Sequence, residues 1–186
     1  MRVISGKWKG RKLFAVPGRT TRPTADKVKE ALFNMIGPYF TGGIGLDLFA
    51  GTGGLGIEAL SRGFDRFIFI DRDIRAVETI RANLKQVGGW DEAEVYRSDA
   101  DRALSQLKKR GLRFHLVFMD PPYAEEKNVH FLERFLEENL LEPGAIVVVE
   151  RDREREIHFR DPRLPLWKES RFGDTALSIY LREKSP

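Results

Sequence analysis

From residue 44 onwards, short apolar runs alternate with longer segments whose apolar positions recur every three or four residues. The short runs predict strands at 44–49, 66–70, 93–97, 114–119 and 145–149. The segments between them predict helices at 54–62, 73–87, 101–110 and 128–139. Such alternation is typical of an α/β domain, in which a parallel sheet is covered by helices on both faces.

The first 40 residues follow a different pattern. Strand-like runs at 2–5 and 12–16 flank a glycine-bounded turn, which predicts a β-hairpin. Thr24, a residue type favoured at helix N-caps, precedes a helix that is expected to end at Gly37-Pro38. The apolar positions of that helix share one face, and they are Val28, Ala31, Leu32, Met35 and Ile36. We therefore expect a hairpin extension over 1–23 and a main domain over 24–186.

The chain closes with a second hairpin pattern. Strand-like runs at 167–172 and 176–182 are joined by Gly173-Asp174-Thr175, which predicts an antiparallel pair at one edge of the sheet. Before it, the polar stretch 151–163 predicts a solvated loop.

Composition excludes several functional classes. With 186 residues, of which 41% are hydrophobic, the chain is long enough for one domain with a sizeable core. The absence of cysteine excludes a disulfide scaffold, a thiolate metal site and a cysteine nucleophile, and it fits a cytoplasmic protein. His115, His130 and His158 lack metal-ligand spacing, so no metal site is expected, and His115 is expected to be a buried core residue.

Charge is unevenly distributed along the chain. The formal net charge is +4, yet nine of the 32 Lys and Arg residues lie in the first 30 positions, against two acidic residues. A basic arm on a nearly neutral body is typical of proteins that bind polyanions. Trp8 lies between two lysines of this arm, and it either stacks on a base or pins the hairpin onto the domain.

A glycine-rich turn separates the first predicted strand from the next helix. Gly51, Gly53 and Gly56 match the pattern G-x-G-x-x-G, in which glycines let the backbone approach a ligand closely. Asp71 lies 20 residues after Gly51, where a carboxylate can accept hydrogen bonds from both hydroxyls of a ribose. The context indicates a nucleoside site, for either a dinucleotide or S-adenosylmethionine.

Two further acids favour S-adenosylmethionine over a dinucleotide. Asp47 lies within the strand that precedes the loop, as an acidic residue does in the first motif of methyltransferases. Asp99 follows the third strand, where it is placed to accept a hydrogen bond from the amino group of adenine.

The tetrapeptide Asp120-Pro121-Pro122-Tyr123 follows the fourth predicted strand. Its prolines fix the backbone and remove two N–H donors, so that carbonyl groups point outward as acceptors. The Asp120 carboxylate and the Pro121 carbonyl can each accept one hydrogen of an exocyclic NH2 group, and Tyr123 offers a stacking face for a base. The motif predicts methyl transfer to a planar amine, driven by positioning and electrostatics.

These motifs resemble those of class I S-adenosylmethionine-dependent methyltransferases with a (D/N)PP(Y/F) motif. The blocks RVISGKWKGRKL at 2–13 and RPTADKVKEALFN at 22–34 narrow the resemblance to the bacterial 16S rRNA (guanine-N2)-methyltransferase family of RsmD type. The resemblance covers nearly the whole chain. It implies a Rossmann-like fold: a seven-stranded, mostly parallel sheet with its last strand antiparallel, preceded by a β-hairpin extension.

The resemblance also implies a reaction, a partner and a set of site residues. The reaction is methyl transfer to N2 of a guanine in small-subunit rRNA, within a 30S subunit or an assembly intermediate, by a monomeric enzyme. The implied cofactor residues are Asp47, Phe49, Ala50, Gly51, Thr52, Gly53, Asp71, Arg72, Asp99 and Ala100, of which 49–53 would hold the methionine moiety. The implied catalytic residues are Asp120, Pro121, Pro122 and Tyr123. The candidate RNA contacts are Arg2, Lys7, Lys9, Arg11, Lys12 and Arg22.

Three other functions stay open at this point. An adenine-N6 methyltransferase acting on DNA or RNA would use the same motif, because its chemistry does not distinguish the two amines. An NAD-dependent oxidoreductase is permitted by the glycine loop and Asp71, but it leaves the DPPY motif and the basic arm unexplained. A non-catalytic RNA-binding module is opposed by the intact loop and acids.

Overall fold

The computed structural model describes residues 1–18, 25–121 and 125–184. The predicted N-cap Thr24, the RNA candidate Arg22 and the motif residues Pro122 and Tyr123 lie outside these ranges. By its internal contacts the chain divides into two compact units, Met1–Ala103 and Leu104–Pro186. The boundary at 23/24, which separates a basic extension by its chemistry, stays a prediction.

The first unit holds three parallel strands in the order β3-β2-β1. Its elements are α1 (Ala25–Ile36), β1 (Ile44–Leu48), α2 (Gly54–Ser61), β2 (Arg66–Asp71), α3 (Ile74–Val87), a 3-10 turn (Trp90–Glu92) and β3 (Ala93–Arg97), after which α4 (Ala100–Lys109) runs across the boundary. Leu46 of β1 pairs with Ile68 of β2, which pairs in turn with Glu94 of β3. The carboxyl ends of the three strands therefore lie at one edge of the sheet.

The second unit holds the strands β4-β5-β7-β6. Its elements are β4 (Phe114–Met119), α5 (Glu125–Glu137), β5 (Leu141–Asp152), β6 (Leu166–Phe172) and β7 (Thr175–Leu181). β4 and β5 are parallel, whereas β7 runs antiparallel to both β5 and β6. The seven strands form a mixed, mostly parallel sheet with an antiparallel last strand, which confirms the fold class expected from the sequence.

The cores consist of the apolar runs that the sequence pattern marked. Phe67, Ile68 and Phe69 of β2 are fully buried, and so are Val77, Ile80 and Leu84 on one face of α3. At β1, Gly45 leaves room for a ring of β2, because a Cβ there would lie 2.0 Å from Phe67. Burial of side chains of this size contributes about 1.5–3 kcal/mol each to folding.

Three sequence-based expectations are wrong in detail. The N-terminal hairpin closes through a single antiparallel bridge, between Arg2 and Lys12, rather than through two full strands. β5 extends to Asp152, so Arg151 belongs to a strand and is buried instead of lying in a loop. His115 is exposed, because it occupies the outward position of β4, whose other five residues are buried. No helix in the described ranges is both long and apolar enough to cross a membrane.

Candidate functional site

The loop that follows β1 carries three residues with left-handed backbone angles. Phe49 has φ 66°, Gly51 φ 59° and Gly53 φ 79°. For glycine this conformation is free of strain, whereas for Phe49 it costs about 1 kcal/mol or more. Two backbone hydrogen bonds hold the loop, from Ala50 N–H to the Ile70 carbonyl and from Gly53 N–H to the Ala50 carbonyl, both at 2.8 Å. The loop is thus pre-shaped at the carboxyl end of the strand, where α/β folds bind ligands.

Asp47 of β1 is hydrogen-bonded to the helix that follows this loop. It is 3% exposed, and its Oδ2 accepts a hydrogen bond of 3.1 Å from the Gly56 N–H in the first turn of α2. A carboxylate at this position stabilises the positive end of the helix dipole. Gly56 must be a glycine, because a Cβ there would lie 2.4 Å from the ring of Phe69. Asp47 is therefore a support of the loop.

Asp71 joins the glycine loop to the ends of two strands. Its Oδ2 accepts from Gly51 N–H and its Oδ1 from Asp73 N–H, each at 2.9 Å, and its backbone carbonyl accepts from Ser98 N–H at 3.1 Å. Each carboxylate oxygen has a second lone pair, so both can also accept a hydroxyl hydrogen. The residues present therefore fit a ribose diol bound beside the loop, as expected of an S-adenosylmethionine site.

Asp99 caps a helix, a role that was not predicted from the sequence. It is exposed just before α4, and its Oδ1 accepts from the Arg102 N–H at 2.9 Å, which makes it the N-cap of that helix. Ala100, the first residue of α4, is buried. Arg72 is exposed after β2, and its carbonyl accepts from the Arg97 guanidinium at 3.3 Å. The cofactor roles implied for these three residues stay predictions.

Asn83 of α3 joins the glycine-rich loop after β1 to the N-terminal segment. It is fully buried, its Oδ1 accepts from the Phe14 N–H at 2.6 Å, and its Nδ2 donates to the Phe14 carbonyl at 3.1 Å and to the Thr52 carbonyl at 2.9 Å. Asn83 is not among the residues predicted from the sequence. Its signal was a polar residue on the apolar face of α3, four positions before Val87 and three after Ile80.

A buried ionic cluster holds the first residues of the chain onto α2. Glu58 is fully buried and accepts from Ile4 N–H at 2.9 Å and Ser5 N–H at 3.1 Å. It also pairs with Arg62 at 2.7 Å and with Lys29 at 3.4 Å. Desolvation by burial lowers the pKa of Lys29 below its ordinary value, although Glu58 opposes the shift. The N-terminal segment is thus an integral part of the first unit.

Trp8 anchors the same segment. Its backbone N–H donates to Ser61 Oγ at 3.0 Å, and its ring is buried against Gly89, where a Cβ would lie 2.5 Å from it. The interpretation of Trp8 as a base-stacking residue is therefore not supported, because the ring is 7% exposed.

The candidate RNA contacts fall into two groups. Lys7 pairs with Glu92 at 2.6 Å, and the Arg11 guanidinium donates to the Val87 carbonyl at 3.2 Å. The side chains of Arg2, Lys9 and Lys12 are exposed and form no ion pair with any residue that the structure describes. These last three are therefore the members of the arm best placed to meet an external anion.

The DPPY motif belongs to the second unit. Asp120 follows the last residue of β4 and is exposed, and Pro121 is buried. The exposed side chain of Asp120 thus lies directly after the carboxyl end of a buried strand.

Comparison with known proteins extends this description. The family model described as "Conserved hypothetical protein 95" matches residues 1–181. A Bacillus subtilis protein named "Putative rRNA methyltransferase YlbH" is 53% identical over 180 residues, which are 97% of this chain and 98% of that protein. The Haemophilus influenzae protein "Ribosomal RNA small subunit methyltransferase D" is 33% identical over 181 residues, 97% of this chain and 93% of that protein.

A solved structure agrees with these relatives. The Escherichia coli protein described as "Putative methyltransferase yhhF" superposes with a TM-score of 0.84 at 32% sequence identity, and the match covers 98% of both chains. The likeness therefore extends over the sheet, its helices and the N-terminal segment.

Proposed function

Because the chain belongs to the conserved hypothetical protein 95 family, that is, the RsmD family of rRNA methyltransferases, we propose that it methylates the N2 amine of a guanine in small-subunit rRNA. S-adenosylmethionine is the cofactor. The observation that carries the choice of an amine is the sequence Asp120-Pro121-Pro122-Tyr123 directly after β4, with the side chain of Asp120 exposed.

Bound S-adenosylmethionine supplies a methyl carbon attached to a positively charged sulfur, which is open to attack by an amine. The first unit binds the cofactor: residues 49–53 hold its methionine moiety, Asp71 its ribose and Asp99 its adenine. Asp47 keeps the loop in shape through Gly56. Support for this assignment comes from the buried, doubly hydrogen-bonded carboxylate of Asp71, which retains a lone pair on each oxygen for a diol.

The second unit holds the target amine. The Asp120 carboxylate and the Pro121 carbonyl would accept the two amine hydrogens, which orients the nitrogen and raises its electron density. The nitrogen would take the methyl group as the carbon–sulfur bond of the cofactor breaks, and the amine would gain the positive charge that the sulfur loses. The methylated aryl amine then loses a proton to water, so no separate base is needed.

The N-terminal segment supplies the first RNA contacts. Arg2, Lys9 and Lys12 meet backbone phosphates, which gives affinity with little sequence information. Lys7 and Arg11 contribute less, because each is already bound to the protein. The segment is small, so we propose a 30S subunit or an assembly intermediate as the substrate rather than free rRNA, and a monomeric enzyme.

Nucleoside analysis after methyl transfer tests the proposed function. S-adenosylmethionine labelled on its methyl group is offered with 30S subunits that lack the modification, with naked small-subunit rRNA and with duplex DNA. We expect the label in N2-methylguanosine from the 30S subunits. Label in N6-methyladenine would refute the guanine assignment and support methylation of the N6 amine of adenine. No transfer to any substrate would refute the enzymatic function.

Asn83 offers a test of the cofactor loop. We expect Asn83→Leu to weaken S-adenosylmethionine binding about ten- to a hundredfold, because three hydrogen bonds to backbone groups are lost. Asn83→Asp keeps the acceptor for Phe14 N–H but turns an oxygen toward two carbonyls, so it should bind equally poorly. Calorimetry measures both. The control is Thr79→Val, which removes a hydrogen bond of α3 to its own Arg75 carbonyl. Equal affinities in all three variants would contradict the role.

The free lysines of the arm give a second test. We expect Lys9→Gln with Lys12→Gln to raise the KM for rRNA at low salt and to leave it unchanged at high salt, because two phosphate contacts are lost. Lys7→Gln is the matched control, since Lys7 is held by Glu92. Steady-state kinetics at two salt concentrations measure the effect. A control that behaves like the double variant would show that the arm acts through its overall charge alone.

A further inference from the structure

A polar cleft of about 680 Å³ lies in the second unit. Its walls are the first turn of α5, the segment that follows β5, and β6. The cleft is lined by Arg153, Arg155, His158 and Arg171, together with three glutamates, Glu126, Glu154 and Glu156. Nothing in the reaction described above uses these residues.

The cleft lies at the same end of the second unit as Asp120. β4 and β5 are parallel, and Met119 of β4 pairs with Val149 of β5. Asp120 follows β4, and the cleft segment 153–158 follows β5. Both therefore lie beyond the carboxyl ends of neighbouring strands. Glu126, on the opposite wall, lies five positions after Pro121.

Two guanidinium groups of the cleft have no partner among the residues that the structure describes. Arg155 and Arg171 form no ion pair and donate no side-chain hydrogen bond within residues 1–18, 25–121 and 125–184, although three carboxylates line the same cleft. Arg153 makes one long contact, of 3.4 Å, to the Gly173 carbonyl. A guanidinium presents five donors in a planar fork that matches a phosphate.

The backbone that carries Arg155 is firmly held. Arg151 is buried beneath it, and its guanidinium donates to the carbonyls of Asp152 and Arg153 at 3.2 Å and of Arg155 at 3.1 Å. The same group also donates to Ser178 Oγ at 3.0 Å and pairs with Glu169. Because one buried arginine binds three carbonyls of the same loop, the loop is held in one conformation. This pre-organises the side chains that the loop carries.

We propose that this cleft binds backbone phosphates of the RNA that flank the target guanine, through Arg155 and Arg171. The inference rests on the proposed function, since it takes RNA as the substrate. The three glutamates keep the net charge of the cleft near zero, so recognition comes from direct guanidinium–phosphate contacts rather than long-range attraction. In this proposal Asp120 binds the amine of the target base, and the cleft binds the RNA backbone on either side of that base.

The test is a salt titration of rRNA binding by the full-length protein, with Arg155→Ala, Arg171→Ala and the double variant. We expect the double variant to weaken rRNA binding about tenfold or more, and to reduce the slope of log affinity against log salt by about 1.4, which is two single-strand contacts. The kcat at saturating rRNA and the affinity for S-adenosylmethionine should stay within about twofold of the wild type. The matched control is Arg160→Ala, an exposed arginine of the same loop that does not line the cleft.

The outcomes separate this inference from the proposed function. A double variant that binds rRNA as the Arg160→Ala control does overturns the cleft assignment, even if the wild type methylates guanine. A wild type that methylates no rRNA refutes the proposed function. In that case a reduced salt slope in the double variant still supports the cleft as a phosphate site, whereas an unchanged slope refutes it as well.

Discussion

Asp120→Ala is expected to lower kcat for methyl transfer by about a thousandfold, the loss found when a charge-stabilising group is removed from an active site. The carboxylate is assigned to the amine and not to the cofactor, so the affinity for S-adenosylmethionine should remain within about twofold of the wild type. Single-turnover transfer of labelled methyl to 30S subunits measures the first quantity, and calorimetry measures the second.

Asp120→Asn is the matched variant. It retains one acceptor oxygen for an amine hydrogen, and asparagine occupies this position in part of the (D/N)PP(Y/F) methyltransferases. We therefore expect it to keep a measurable fraction of kcat. An Asp120→Ala protein that no longer binds S-adenosylmethionine would contradict the assignment, and so would one that still methylates at the wild-type rate.

Glu58→Ala is expected to have the largest effect on stability, about 3–5 kcal/mol. The substitution leaves Arg62 and Lys29 buried without their shared carboxylate, and it removes the acceptor of Ile4 and Ser5 N–H. For a chain of this length, we expect a fall in melting temperature of about 6–20 °C. Thermal and urea unfolding measure the change.

An exposed glutamate provides the control for this prediction. Glu78→Ala on the outer face of α3 removes the same charge from a position without an ion pair in the described ranges, and it should change the free energy of unfolding by less than about 0.5 kcal/mol. If Glu58→Ala were as stable as Glu78→Ala, the N-terminal segment would have to be held by its other contacts, such as those of Phe14 with Asn83 and of Trp8 with Ser61.

Much of the fold could be predicted from the pattern of apolar positions. β3 and β4 begin and end where the sequence pattern places them, and the other strands of the sheet are found within a few residues of theirs. The glycine loop and Asp71 are found at the carboxyl ends of β1 and β2, because a strand, a glycine turn and a helix are adjacent in sequence as well as in space. Local patterns are sufficient for features of this kind.

Contacts between residues that are far apart in the sequence could not be predicted from the same patterns. Asn83 meets Phe14 69 positions away, and Glu58 meets Ile4 54 positions away. Periodicity indicates which face of a helix is buried, but it does not indicate which backbone groups lie opposite. The same limit explains Trp8, whose buried place depends on Gly89, and Arg151, whose acceptors exist only once the loop after β5 has turned.

If rRNA binds the basic segment and S-adenosylmethionine binds the glycine loop, as proposed above, the clamp at Asn83 connects the two binding sites. Phe14 belongs to the basic segment and Thr52 to the cofactor loop, and both hold the same amide. If rRNA tightens or loosens that amide when it binds the segment, the affinity for S-adenosylmethionine changes by some factor, and linkage requires the cofactor to change the affinity for rRNA by the same factor. The stability of the ternary complex would then differ, by that same factor, from the value expected from the two separate affinities.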